Sequence, residues 1–410
     1  MNSGDIAWVL ASAALVLFMT PGLAFFYGGM DRSRNVLNML MMNFWCLLVI
    51  PVLWVVVGFS IAGGDAGARW FGGFDAAFLG NLNLGVSGGV DSLLTIAFLG
   101  MFAVITPALI SGAVADRMKF GAWAIFAPVW MLLVFAPVFK WVYGGWLGAR
   151  GSLDFAGGTA IHVNAGIAAL VAVVILGKRK GWPKEGHAPH SMPLVMIGTG
   201  ILWFGWFGFN AGSALAANGT AVQAFLNTFV AAAAAGLAWA LVERVRDGHF
   251  TNLGAASGIV AGLVAITPAC GFVSTMPAII IGLIAGVVCC FAVRIKFKAG
   301  FDDALDVVGV HFVGGLVGSL LIGFFSDADY FGTENMSGLF YGGGLKLLGE
   351  QALANGVTII YSGVITAVIL LALRATIGIR VSEEVEDSGL DVAEHAETAY
   401  NSGELTMGRA

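Results

Sequence analysis

Hydrophobic positions in this chain fall in long, nearly unbroken runs. The first extends from Ile6 to Gly28, and others follow at roughly 38–61, 92–115, 120–142, 159–176, 191–212, 220–241, 254–270, 276–293, 304–325 and 352–373. A helix needs about 20 apolar residues to cross a hydrocarbon core, and the runs approach that length. They lack the two-residue alternation of a barrel strand, and only helices and closed barrels satisfy their own backbone groups in lipid. The pattern predicts an all-α integral membrane protein of eleven transmembrane helices. Met1 to Asp5 carries no basic residue and no small-residue cleavage site follows, so the first run reads as a retained helix rather than a signal peptide.

The polar segments between the runs predict the topology. Connections after the first, third, fifth, seventh, ninth and eleventh runs hold sixteen of the twenty Lys and Arg; only Arg69, Lys140, Arg150 and Lys346 fall on the other side. Basic residues concentrate on the cytoplasmic side. This places a multi-pass protein in the cell membrane with its N-terminus outside and its C-terminus in the cytoplasm. The expected division is a transmembrane domain at 1–378 and a cytoplasmic tail at 379–410. Beyond Arg380 the tail carries Glu383, Glu384, Glu386, Asp387, Asp391, Glu394 and Glu397 with no further Lys or Arg until Arg409. Such a run reads as solvated unless something else supports a contact role.

Two runs contain a histidine, in segments that echo each other. Asp154 to Gly166 reads DFAGGTAIHVNAG and Asp303 to Gly315 reads DALDVVGVHFVGG; in each, a carboxylate stands eight residues before the histidine and a glycine four after it. His162 lies in the fifth run and His311 in the tenth. Five helices finish on the opposite face from where they began, so a second set of five lies upside down relative to the first. The echo predicts a 5+5 inverted repeat with its site near the midplane, plus a C-terminal eleventh helix outside the repeat.

Ionisable groups inside a membrane usually face a cavity and one another. Burial favours neutral imidazoles, each with one donor and one acceptor nitrogen, so a facing pair can share a hydrogen and accept or relay a proton. The alternatives are a structural pair bonded across the repeat, or two unrelated buried histidines; the matched positions favour a pathway. A metal site would require Asp154 and Asp303 to converge on both imidazoles, and neither an H-E-x-x-H motif nor a Cys/His cluster is present. No metal or cofactor is expected. Asp154 reads first as an acid capping the fifth helix through its free amides. Its charge would also make the outer mouth more attractive to cations. Phe98, Phe102, Tyr143, Trp206 and Phe209 supply aromatic faces that can attract cations or gate a path against hydrated ions, although most aromatics in membrane helices simply pack.

Composition agrees with this class. Mean hydropathy is +0.88, and 11% of residues are charged, whereas a soluble domain carries about a quarter. The 59 glycines suit close helix packing in lipid. The four cysteines lie in or beside apolar runs without zinc or disulfide spacing. No nucleophile, base and orienting group form a recognisable set, which argues against an enzyme.

Seven ordered strings run along the chain: PGLAFFYGGM, ITPALISGAVADRMKF, LDFAGGTAIHVNAG, GWFGFNAGSALAANGTA, SGIVAGLVAITPACG, DVVGVHFVGG and RVSEEVEDSGLDVAEHAETAY. Together they resemble the ammonium transporter (Amt/MEP/Rh) family, and more closely its microbial Amt branch. The resemblance implies a homotrimer with a narrow pore for ammonium or ammonia in each subunit. By position, Phe102 and Phe209 resemble the family's stacked gate, His162 and His311 its pore histidine pair, and Asp154 its buried supporting acid. Ser213 resembles the hydroxyl that accepts a hydrogen bond from the cation. Tyr143 stands where the family commonly has a tryptophan in the outer recruitment site, and Leu99 where a glutamine is often found. The tail resembles a contact surface for PII-type signalling proteins, so the second reading is an ammonium sensor that signals through its tail. No kinase or cyclase segment follows Ala410, which favours transport.

Overall fold

The computed structural model describes residues 1–64, 69–80, 82–85, 87–184, 188–333 and 336–400. Among the described residues eleven apolar helices organise the chain: α1 (Ser3–Met30), α2 (Val36–Gly63), α3 (Gly89–Val114), α4 (Phe120–Arg150), α5 (Gly158–Leu176), α6 (Met192–Ala214), α7 (Gly219–Asp247), α8 (Asn252–Ile266), α9 (Thr275–Ala299), α10 (Val308–Phe325) and α11 (Lys346–Thr376). Ten have spanning length; α8 has 15 residues and continues as turns through Phe272. Among the described residues the one β-type contact is an isolated bridge between Met118 and Arg380. The protein is a multi-pass helical membrane protein.

The two halves, α1–α5 and α6–α10, meet through equivalent helices. Helices α1 and α6 pack along their lengths, α7 packs on α8 and α9, and α11 lies outside against α5 and α10. The exposed face of α2 carries Phe44, Leu48 and Val52, and that of α11 carries Ile360, Val364 and Val368. Apolar stripes of this extent are suited to lipid rather than water. Inside, Trp130 donates to Thr366 Oγ1 at 2.9 Å and Trp206 to Thr267 Oγ1 at 2.7 Å, so each buried indole satisfies its polar atom.

Local departures from ideal helix follow from sequence. In α2 and α4 a π turn begins three residues after an internal proline, at Trp54–Gly58 after Pro51 and at Met131–Phe135 after Pro128. Proline offers no N–H and crowds the preceding turn, so the ladder widens beside it. Helix α11 starts at Lys346 rather than near 352, because its polar residues Gln351 and Asn355 face inward. Gln351 accepts from Leu153 N at 2.7 Å and donates to Leu153 O at 2.8 Å, and Asn355 donates to Ser319 Oγ at 2.7 Å.

The face bearing most of the basic residues is knit together by charge. Arg179 bridges Asp116 and Asp302, each at 2.8 Å. Two short tail helices, α12 (Glu383–Ser388) and α13 (Leu390–His395), lie against it. The acidic run is therefore only partly solvated: Glu383 and Glu384 are exposed, but Glu386 and Asp391 are buried. Glu386 accepts from Lys180 N at 2.6 Å and from Arg380 at 2.7 Å, and Asp391 accepts from Asn38 N at 2.9 Å. Arg409 lies outside the described residues.

Candidate functional site

His162 and His311 each sit in a π turn that opens a helix, Gly158–Val163 in α5 and Val308–Phe312 in α10. The His162 amide bonds the Gly157 carbonyl, five residues back, at 3.0 Å. The acid eight residues upstream holds each turn. Asp154 Oδ1 accepts from Gly157 and Gly158 at 2.8 and 2.7 Å, and Oδ2 from Thr159 and Ala160 at 2.9 and 3.0 Å. Asp303 accepts from Val307 at 3.1 Å and Val308 at 2.8 Å. These bonds satisfy amides that a helix start leaves without internal partners.

The glycine four residues after each histidine marks where α5 and α10 touch. A Cβ on Gly166 would lie 2.5 Å from Phe312 Cα, and one on Gly315 would lie 2.9 Å from His162 Cβ. This approach brings the two Nδ1 atoms to 3.3 Å, with the rings 18° from parallel. One Nδ1 must carry hydrogen and the other accept it, so the donor ring keeps a bare Nε2. His162 Nε2 is buried without a hydrogen-bond partner. Both rings line a void of about 10 Å³ among Leu23, Ile105, Leu109 and Val260, room for about one water-sized molecule.

A line of aromatics leads from the histidines toward the N-terminal face. Trp206 stacks on His162 with centroids 5.5 Å apart, Phe209 lies 6.1 Å from the same ring, and Phe102 lies 4.4 Å from Phe209. Phe102 and Phe209 are buried. Beyond Phe102 opens a vestibule of about 240 Å³ lined by Phe98, Leu99, Phe102, Phe139, Tyr143, Phe155 and Ser213, among others. Ser213 Oγ donates to Phe209 O at 2.8 Å. Asp154 stands behind this wall next to Phe155, its carboxylate turned to the amides of α5.

The structure thus brings His162 to His311, Phe102 to Phe209, and Tyr143 and Ser213 into one vestibule, with Asp154 behind them. A family model described as the Ammonium Transporter Family matches residues 7–400. The chain belongs to that family. It is 51% identical to the ammonium transporter of Mycobacterium tuberculosis strain H37Rv, covering 98% of this chain and 91% of the relative. Its fold is similar to the crystal structure of Candida albicans Mep2, with a TM-score of 0.87, 32% identity and coverage of 94% and 87% of the two chains. It is also similar to a structure described as a sensor Amt protein, with a TM-score of 0.89, 30% identity and coverage of 96% and 98%.

Sequence reasoning about this ammonium transporter family member gave no role to Tyr27, whose hydroxyl donates to Leu109 O at 3.1 Å and lies 3.5 Å from His311 Nε2. The PheTyrGlyGly string was the available signal, but aromatic-glycine strings recur throughout the chain. The basic face also holds a carboxyl pair that no motif marked. Burial and the neighbouring Asp116 charge push the Asp31 carboxyl well above the usual carboxylate range. Burial opposes the charge on Asp116, yet hydrogen bonding with Asp31 and the guanidiniums of Arg179 and Arg32 hold its pKa below that range. Asp31 therefore keeps its proton and Asp116 is ionised. Burial likewise opposes the charge on Asp302, but Arg179 and Arg117 keep its pKa lowered. Among the described residues no three of His, Cys, Asp and Glu converge as a metal cluster.

Proposed function

We propose that this family member takes up ammonium from outside the cell membrane through a pore within each subunit of a homotrimer. Its N-terminal face is outermost, residues 1–378 form the transport domain, and residues 379–410 form a cytoplasmic tail. The cation enters the vestibule, held by Tyr143, Ser213 and the remote field of Asp154. Phe102 and Phe209 form the gate, which excludes hydrated ions because it offers no replacement for their water. The imidazole pair then accepts or relays a proton while ammonia crosses the dry segment. The observation that carries the reading is the 3.3 Å contact between Nδ1 atoms from the two halves, beside an unpartnered His162 Nε2 in an apolar void. The function is transport rather than catalysis. The docked acidic tail supports a PII-type regulatory protein as the partner at the basic face.

Proteoliposomes loaded with purified protein provide the test. Replacing both His162 and His311 by leucine is expected to abolish selective ammonium flux or to admit K⁺, while the trimer stays intact. Unchanged ammonium selectivity in that double variant would refute the relay. A sensor that signals through the tail is the second reading, supported by the likeness to the sensor Amt protein. Specific ammonium binding with no flux would favour it.

A further inference from the structure

We propose that Tyr27 is a positioning residue that sets the tautomers of both buried histidines, leaving His162 Nε2 as the bare acceptor nitrogen. The inference rests on the transport reading above and adds which ring takes the proton. Tyr27 is buried in α1 and its hydroxyl reaches both α3 and α10. A Cβ on Gly112 of α3 would lie 2.6 Å from Tyr27 Cζ, so glycine there leaves room for the phenol. The hydroxyl has two neighbours, Leu109 O at 3.1 Å and His311 Nε2 at 3.5 Å. A carbonyl can only accept, so the phenolic hydrogen goes to Leu109 at the shorter contact, and the oxygen turns its lone pairs toward His311.

The other hydrogens follow along the line of contacts. A lone pair favours a hydrogen on the nitrogen that faces it, and a neutral imidazole carries only one, so His311 bears hydrogen on Nε2 and leaves Nδ1 bare. That Nδ1 lies 3.3 Å from His162 Nδ1, which must then be the donor, and His162 Nε2 is bare in turn. The far end of the line matches: His162 Nε2 is buried with no hydrogen-bond partner, whereas His311 Nε2 has Tyr27. His162 is also the ring that stacks on Trp206 and neighbours Phe209. An ammonium ion coming past Phe209 therefore meets an acceptor; it gives one proton to His162 Nε2, leaving ammonia and an imidazolium. The reverse tautomers would set a bare His311 Nε2 against the Tyr27 lone pairs and an N–H of His162 toward the incoming cation, and both contacts are repulsive.

The test is solid-state nitrogen-15 NMR of the histidine-labelled protein in lipid bilayers, because a ring nitrogen that bears hydrogen resonates apart from one that does not. The pair is picked out from the six histidines by its Nδ1–H to Nδ1 correlation, and His162 within the pair by its contact with Trp206. In the parent chain the form with hydrogen on His162 Nδ1 and His311 Nε2 is expected in roughly five- to tenfold excess over the reverse, the effect of one hydrogen bond. Tyr27→Phe keeps the ring, removes the oxygen and should bring the two forms toward equal populations. A parent with a bare His311 Nε2 would overturn the proposal, and so would a Tyr27→Phe spectrum that keeps the parent ratio. If Tyr27→Phe is not monodisperse, the parent decides through a correlation between His311 Nε2–H and Tyr27 Cζ, whose absence also overturns it. Absence of ammonium flux from the parent in proteoliposomes would instead overturn the transport reading, on which the tautomer spectrum does not depend.

Discussion

Asp154 organises more backbone than any other side chain in the site. Its two oxygens take four amides in a row, so the π turn that presents His162 depends on one carboxylate. Asp154→Ala leaves those amides without partners, at about 1–3 kcal/mol for each that stays buried. A large fall in melting temperature in detergent is expected, together with loss of flux. Asp154→Asn keeps one oxygen acceptor and should lose less; equal melting temperatures for the two variants would contradict the capping role. The capping itself was legible, because the acid precedes GlyGlyThr at a helix start. The gathering of Tyr143, Phe155 and Ser213 around one vestibule was not, since they lie on different segments and only the path of the chain joins them.

At the level of helices, the decisive contact is the crossing of α5 and α10. Gly166 and Gly315 keep that crossing close enough for the imidazoles to meet. A methyl group at Gly166 would meet Phe312 backbone at 2.5 Å, and backbone cannot rotate away as a side chain can. Overpacking of this kind costs about 1–3 kcal/mol. Gly166→Ala is therefore expected to lower thermal stability and to impair ammonium selectivity by parting the rings, read as K⁺ leak beside ammonium flux. Full selectivity in that variant would mean that the rings tolerate separation. The glycine spacing was visible in the sequence, but not its purpose. The π turns were invisible too, because an apolar run of fixed length reads the same with one widened turn as without.

The basic face joins both halves and the tail, and its chemistry predicts how the whole molecule responds to acid. Asp116 and Asp302 have pKa values lowered in the folded state, so each adds stability above the unfolded value near 4, lost as pH falls through the folded value. Asp31 has a raised value, so it adds stability as pH falls toward the unfolded value and nothing further below it, and the loss from Asp116 and Asp302 is unopposed only below about pH 4. Melting temperature in detergent should fall steeply below about pH 4. A flat profile from pH 4 to pH 2 would show that the Arg179 cluster does not support the fold. Partial burial of the tail belongs to this scale as well. Glu386 and Asp391 looked like members of a solvated run, and are buried only because Arg380, the Lys180 amide and the Asn38 amide converge on them from other parts of the chain.

The sequence alone determined the class of protein, the eleven helices, the repeat and the identity of both histidines, because lipid imposes a length and polarity that each segment must meet by itself. It also marked Phe209, Ser213 and Asp154 through ordered strings, and Phe102 by its position just before one. Only the tertiary structure decided which of these side chains touch. It set the histidines 3.3 Å apart, placed Asp154 behind the vestibule rather than in it, brought Tyr27 to His311, and turned part of the tail into buried structure. Those outcomes depend on how close two helices from opposite halves can come, a distance fixed by small residues and polar pairs that lie far apart along the chain.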